Sequence, residues 1–160
     1  MFMQKPHLIV MGGATASGKT AAAVRLCEEI GGEVVSCDSM QIYRGMDVGT
    51  AKPTPEERRG IPHHMIDVID PDESYSASRF KEDAAACVGD ILSRGKQPVL
   101  CGGTGLYVDA LTRPMDFALP SDPALRDELI AVSQQENGKR TLHAMLEEID
   151  PESAQRLHLN

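Results

Sequence analysis

Gly13-Ala14-Thr15-Ala16-Ser17-Gly18-Lys19-Thr20 is the stretch on which the reading of this chain turns. It meets G-x-x-x-x-G-K-[ST] at every fixed position, and its surroundings are those the motif requires. The apolar run His7 to Met11 (HLIVM) before it predicts a buried parallel strand. Lys19 to Ile30 predicts a helix, with Ala23, Leu26, Cys27 and Ile30 on one face and Gly31-Gly32 closing it. Glycines in such a turn let successive backbone N–H groups point at one anion, and the helix N-terminus adds its positive end. Lys19 brings a point charge to the outer phosphate oxygens, and the Thr20 hydroxyl offers a ligand for Mg²⁺. Residues 13–20 are therefore the expected diphosphate- or nucleotide-binding loop.

Outward from this loop the pattern alternates between strand and helix. Glu33 to Cys37 (EVVSC) predicts a second strand ending at Asp38, and Met65 to Ile69 a third, stopped by Asp70-Pro71-Asp72. Residues 39–64 between them read as irregular, with Gly45, Gly49, Pro53, Pro55, Gly60 and Pro62. Ser76 is placed to cap a helix whose Phe80, Ala84, Cys87, Val88 and Ile91 recur at helical spacing, with Gly95 as its stop. Pro98 to Cys101 predicts a fourth strand, running into Gly102-Gly103-Thr104-Gly105 and a further helix. This order predicts an α/β fold, a mainly parallel sheet flanked by helices, over residues 1–111. From residue 112 only helical signals remain: Ser121 or Asp122 as a cap for a helix through Gln135, another from Thr141, and Asp150-Pro151 opening a third.

At 160 residues, 41% hydrophobic and 25% charged, the chain fits one domain, or one and part of a second. No apolar run approaches the roughly 20 residues of a membrane span, and the N-terminus lacks a signal peptide's long apolar core. The four cysteines (Cys27, Cys37, Cys87, Cys101) form no CxxC pair and sit in apolar stretches, so reduced core thiols in a cytoplasmic protein are expected. A net charge of −8 argues against a general polyanion binder. Residues 39–64 are the exception, with Arg44, Lys52, Arg58 and Arg59 against Asp47, Glu56 and Glu57. That local excess suits phosphate contact, and a solvated loop would carry it equally well.

A phosphate loop does not name a reaction, because ATP hydrolysis, kinase transfer and expulsion of pyrophosphate all begin with it. Asp38, directly after the second strand, falls at the carboxyl edge of a parallel sheet beside the loop. A carboxylate there could ligate Mg²⁺, act as a base or cap the next turn. Gly102-Gly103-Thr104-Gly105 allows close backbone approach and a hydroxyl aimed at the same crevice, or is a tight turn and nothing more. His63-His64 invites a metal reading, but neighbours on a strand point to opposite faces, which favours hydrogen-bonding roles.

Taken together, GATASGKT at 13–20, DSMQIYRGMDVGTAKP at 38–53, IPHHMIDVIDP at 61–71, YSASRF at 75–80 and GGTGLY at 102–107 resemble the tRNA dimethylallyltransferases, or tRNA isopentenyltransferases, in order and spacing. Ala14 departs from the family's usual Pro, which costs the loop rigidity and not function. The resemblance implies a P-loop NTPase-like sheet followed by the start of a helical insertion domain over 112–160. It implies transfer of a dimethylallyl group from dimethylallyl diphosphate to N6 of an adenine beside the tRNA anticodon. Asp38, Thr104 and Lys19 would then be catalytic, Thr20 would hold Mg²⁺, and Asp38, Ser39, Met40, Gln41, Thr104 and Arg126 would meet the anticodon stem-loop. A monomer is the working expectation. Family chains are about twice as long, so the resemblance also implies that these residues are the N-terminal portion of a longer protein, with further substrate contacts beyond Asn160.

Three rivals share features of this reading. A small-molecule kinase shares the loop but would bring an Arg-rich lid, which the sequence lacks. An adenylate isopentenyltransferase would not need the PHHMID and GGTGLY segments or the helical tail. A non-catalytic binding module would keep the loop without turnover.

Overall fold

The structure is a computed structural model that describes residues 7–115, 117 and 122–158. The chain divides into two compact units at Met115. In the first, β1 (Ile9–Gly12), β2 (Gly32–Ser36), β3 (His63–His64) and β4 (Gln97–Gly102) form one parallel sheet in the order β1-β4-β2-β3. Parallel neighbours need crossovers, and α1 (Lys19–Ile30) and α3 (Ala77–Ser93) supply them. With β4 inserted between β1 and β2, the segments that leave these three strands emerge side by side at the carboxyl edge.

Alternation along the strands decides which helix each residue meets. Val34, Val99 and Cys101 pack with Ala23 and Cys27 of α1. Val35 and Leu100, one residue out of phase, face Phe80, Ala84 and Ile91 of α3 and Tyr107 of α4 (Gly105–Thr112). Phe80 and Tyr107 stack with centroids 4.1 Å apart. Burial of each such large apolar side chain contributes about 1.5–3 kcal/mol. Cys27, Cys37 and Cys101 are buried free thiols and Cys87 is partly buried.

The helix ends follow the sequence signals. Gly31 closes α1 in the left-handed region, and the Ser76 hydroxyl accepts from the Arg79 amide at the start of α3. The third strand does not follow. It is His63–His64, pairing with Val34 and Val35, and not Met65 to Ile69. Met65 and Asp67 take φ of 62° and 57°, which breaks an extended run. Met65 and Ile69 are nonetheless buried, so the apolar pattern reported burial without a strand. The irregular segment also holds one turn of helix, α2 (Pro55–Arg58), opened by a reciprocal capping box between Thr54 and Glu57.

The second unit contains α5 (Pro123–Ser133), α6 (Gly138–Ile149) and α7 (Pro151–Arg156). The Asp122 carboxylate caps α5 through the Leu125 amide; Ser121, the other expected cap, lies outside the described residues. The second helix starts at Gly138, ahead of the expected Thr141. The Asp150 carboxylate caps α7 through the Ser153 amide, and His143 Nε2 lies 3.1 Å from the Ala154 carbonyl. Among the described residues no helix is long and apolar enough to cross a membrane.

Candidate active site

The loop between β1 and α1 curls as its glycines predict. Gly18 sits at φ 80° and Ala16 at φ 63°, so the chain turns sharply into the first turn of α1. Lys19 Nζ donates to the Ala14 carbonyl at 2.8 Å, which folds the ammonium back over the loop. That acceptor is a main-chain oxygen, present whether residue 14 is Ala or Pro.

Two cavities border this loop. The larger, about 590 Å³, is lined by Thr15 to Thr20 together with Asp38, Lys52 and His63, and its wall includes the apolar Ala23, Val24 and Val34. The smaller, about 350 Å³, is lined by Gly13, Ala14, Ser39, Met40, Gly103 and Thr104, with Thr15 and Asp38. Thr15 and Asp38 alone belong to both. Asp38 therefore stands where the two cavities meet.

Asp38 serves partly as a cap, since its Oδ1 accepts from the Met40 amide at 2.9 Å. Its second oxygen takes no partner among the described residues, so capping and chemistry are compatible in one carboxylate. Thr104 reaches the same place from β4. Its Oγ1 accepts from the Ser39 amide at 3.0 Å, and its own amide donates to the Cys37 carbonyl at 3.2 Å. The approach of β4 to β2 depends on Gly102, where a Cβ would lie 2.5 Å from the Cys37 oxygen. Asp38, Ser39, Met40 and Thr104 are thus brought to one crevice with the loop.

Gln41 is turned inward. Ser36 Oγ donates to its Oε1 at 3.0 Å, and its Nε2 donates to the Thr50 and Ala51 carbonyls, which braces the irregular segment. Arg126 is exposed on α5, in the second unit. The basic side chains of 39–64 are largely committed to the protein itself. Arg44 pairs with Asp70, Arg58 donates to the Pro53 carbonyl, Arg59 pairs with Glu28, and Lys52 pairs with Asp47 and Asp67. The depth of Lys52, at 4% exposure, carries no signal in the sequence.

The two histidines part company as strand geometry requires. His64 Nε2 lies 2.7 Å from Glu33 Oε2, whereas His63 Nδ1 lies 2.8 Å from the Ile61 carbonyl and its ring lines the larger cavity. Burial lowers the His63 pKa, with Arg58 and His64 adding to it against the Ile61 contact, so the ring is neutral near pH 7. No group of three or more His, Cys, Asp or Glu among the described residues could cage a metal. Thr20 lines the larger cavity, and its hydroxyl takes no partner among the described residues, which suits an ion that takes few protein ligands.

A family model described as IPP transferase matches residues 41–160, and one described as isopentenyl transferase matches 5–70. The tRNA dimethylallyltransferase of Thermotoga neapolitana is 54% identical over 153 residues, 96% of this chain and 50% of that protein. That of Methylococcus capsulatus is 50% identical over 97% of this chain and 49% of its own length. Among solved structures, the full-length tRNA isopentenylpyrophosphate transferase of Bacillus halodurans aligns with a TM-score of 0.70 and 45% identity, over 98% of this chain and 52% of that one. A eukaryotic dimethylallyltransferase acting on tRNA aligns at 0.82 and 31%, over 98% and 39%. The chain spans about half the length of the curated relatives it matches. The motifs that carried the resemblance, the P-loop NTPase-like parallel sheet and these matches agree: the chain belongs to the IPP transferase family.

Proposed function

We propose that the protein transfers a dimethylallyl group from dimethylallyl diphosphate to N6 of an adenine beside the tRNA anticodon. The observation that carries this reading is the meeting of two cavities at Asp38, the larger lined by Lys19 and Thr20 of the phosphate loop and the smaller by Ser39, Met40 and Thr104. Such a site suits two substrates that occupy neighbouring cavities and react where these meet. The tRNA dimethylallyltransferases that the chain resembles support the same chemistry.

In this reading the diphosphate lies on the backbone amides of residues 13–20, with Lys19 turned from Ala14 toward it. The allylic chain rests against the apolar wall. The adenine, unstacked because a stacked base hides its edge, enters the smaller cavity and places N6 near Asp38 and Thr104. The N6 lone pair forms a bond to the allylic C1 as the C1–O bond breaks, and diphosphate leaves with that electron pair. The N6 proton passes to Asp38, which lines both cavities and keeps one carboxylate oxygen clear of the Met40 amide. Charge develops on the departing oxygens, where the amides and Lys19 stabilise it. Mg²⁺, held by Thr20, would add Lewis-acid neutralisation of the leaving diphosphate.

Ser39 and Met40, beside Asp38, would contact the flanking nucleotides, and the braced Gln41 would fix their backbone. The second unit is read as the start of the helical insertion that grips the anticodon stem-loop, with Arg126 as a phosphate contact. Reduced core thiols and a tRNA substrate support a cytoplasmic enzyme in this reading, and the proposed chemistry needs only one copy of the chain. The test incubates the protein, expressed from its native reading frame, with labelled dimethylallyl diphosphate and either unmodified tRNA or AMP. Label in tRNA alone is expected. Label entering AMP and not tRNA would overturn the assignment.

A further inference from the structure

Lys52 lines the larger cavity beside the phosphate loop, where a lysine is ordinarily read as a phosphate ligand. Its geometry says otherwise. The ammonium donates to the Tyr43 carbonyl at 2.8 Å, to Asp47 Oδ1 at 2.8 Å and to Asp67 Oδ1 at 2.6 Å. An ammonium has three protons, and all three are placed. With two carboxylates on one cation, the charge is neutralised before any diphosphate arrives.

The partners show what the clip does. Asp67 is held at φ 57°, a conformation a non-glycine residue keeps only when its surroundings fix it. Lys52 fixes its side chain, and the Gln41 carbonyl fixes its amide at 3.2 Å. The Val68 amide adds a 2.7 Å bond to the Ile42 carbonyl, so residues 67–68 run alongside 41–42. Gln41 also holds Ser36 and the Thr50–Ala51 backbone, and the Met40 amide is tied to Asp38. Both flanks of the segment behind Asp38, residues 43–47 and 67, therefore converge on one nitrogen.

We infer that Lys52 is a positioning residue for prenyl transfer: by clamping Tyr43, Asp47 and Asp67 it holds the 38–53 segment so that Asp38 is aimed at the junction of the two cavities, and it does not bind the diphosphate. This rests on the reading of Asp38 as the base. Displacement of a reacting group by about an ångström costs on the order of 100-fold in rate, so a loosened clip should act on kcat.

The test is a double-mutant cycle between Lys52→Met and Asp38→Asn, with turnover on tRNA and the Kd for inorganic diphosphate measured for each protein. Lys52→Met is expected to lower kcat roughly 30-fold with the diphosphate Kd changed less than about twofold, and to cost less than about twofold once Asp38 is already Asn. Lys52→Arg, which keeps the charge, should recover part of the rate. Equal losses in both backgrounds, or a diphosphate Kd that rises in step with the lost rate, would overturn the positioning role. Near-wild-type turnover of Asp38→Asn alone would overturn the reading of Asp38, and this inference with it. Should Lys52→Met not fold, Asp67→Asn removes one carboxylate of the clip and is expected to give the same pattern at smaller amplitude; a melting temperature measured alongside separates a folding loss from a kinetic one.

Discussion

The Ser39 amide donates a 3.0 Å hydrogen bond to the Thr104 hydroxyl, across a separation of 65 residues. This bond joins the segment after β2 to the segment after β4 at the point where Asp38 faces the smaller cavity. The hydroxyl also lies 3.4 Å from Ser39 Oγ as a donor. Thr104→Val keeps the shape and removes the oxygen, leaving the Ser39 amide unpaired. Steady-state kinetics should show kcat reduced about tenfold, on the scale of about 1–1.5 kcal/mol for one such bond, with diphosphate affinity unchanged.

Lys19 is the one loop side chain with a full charge, and in the free protein it folds back on Ala14. Lys19→Met should raise the Kd for inorganic diphosphate roughly 10- to 100-fold, the range for a charge-assisted contact, as read by titration calorimetry. An unchanged Kd would remove Lys19 from the diphosphate site.

Because no cluster of metal-ligating side chains exists among the described residues, Mg²⁺ should matter to turnover and not to the fold. Chelation with EDTA is expected to abolish prenyl transfer while leaving the melting temperature of the ligand-free protein within about 1 °C. A large drop in melting temperature would indicate a structural metal site.

At the end of the sheet remote from the loop, Glu33 is buried among Arg94, Lys96 and His64. Hydrogen bonding from Arg94, joined by His64 and Lys96 and opposed by burial, holds its carboxyl well below the usual range. The folded-state pKa lies below the ordinary 4.5, so the stabilisation is complete above that value and drains away as pH falls below it. Arg94 and Lys96 are 40% and 46% exposed and can be resolvated, which tempers the cost of losing the carboxylate. Glu33→Gln should lose about 1–3 kcal/mol near pH 7 by urea unfolding, and the gap to wild type should narrow near pH 3. A gap that stays constant with pH would remove Glu33 from the acid response.

The loop, α1 and the two central strands were legible because each has a local cause: fixed glycines, an apolar face of period 3.6, and continuous apolar runs that only a doubly covered sheet can bury. Residues 65–69 misled because burial and strand conformation share a pattern, and the left-handed backbone at Met65 and Asp67 has no compositional mark. The Thr54-Pro55-Glu56-Glu57 capping box was present in the sequence as a helix signal that glycine and proline density around it obscured. In the site, the members of the motifs could be named, but Lys52 read as a phosphate contact or a solvated loop cation and not as a buried clip. Its two carboxylate partners lie 5 and 15 residues away, and no sequence pattern states that a chain folds back on such a residue.

The most direct measurement compares Asp38→Asn with wild type for both turnover on tRNA and binding of inorganic diphosphate. The substitution keeps the cap oxygen that meets the Met40 amide and removes the proton acceptor. Turnover reduced by about 10²- to 10⁴-fold with diphosphate affinity intact is the expected result. Turnover within a fewfold of wild type would contradict the assignment of Asp38 as the base at the meeting point of the two cavities.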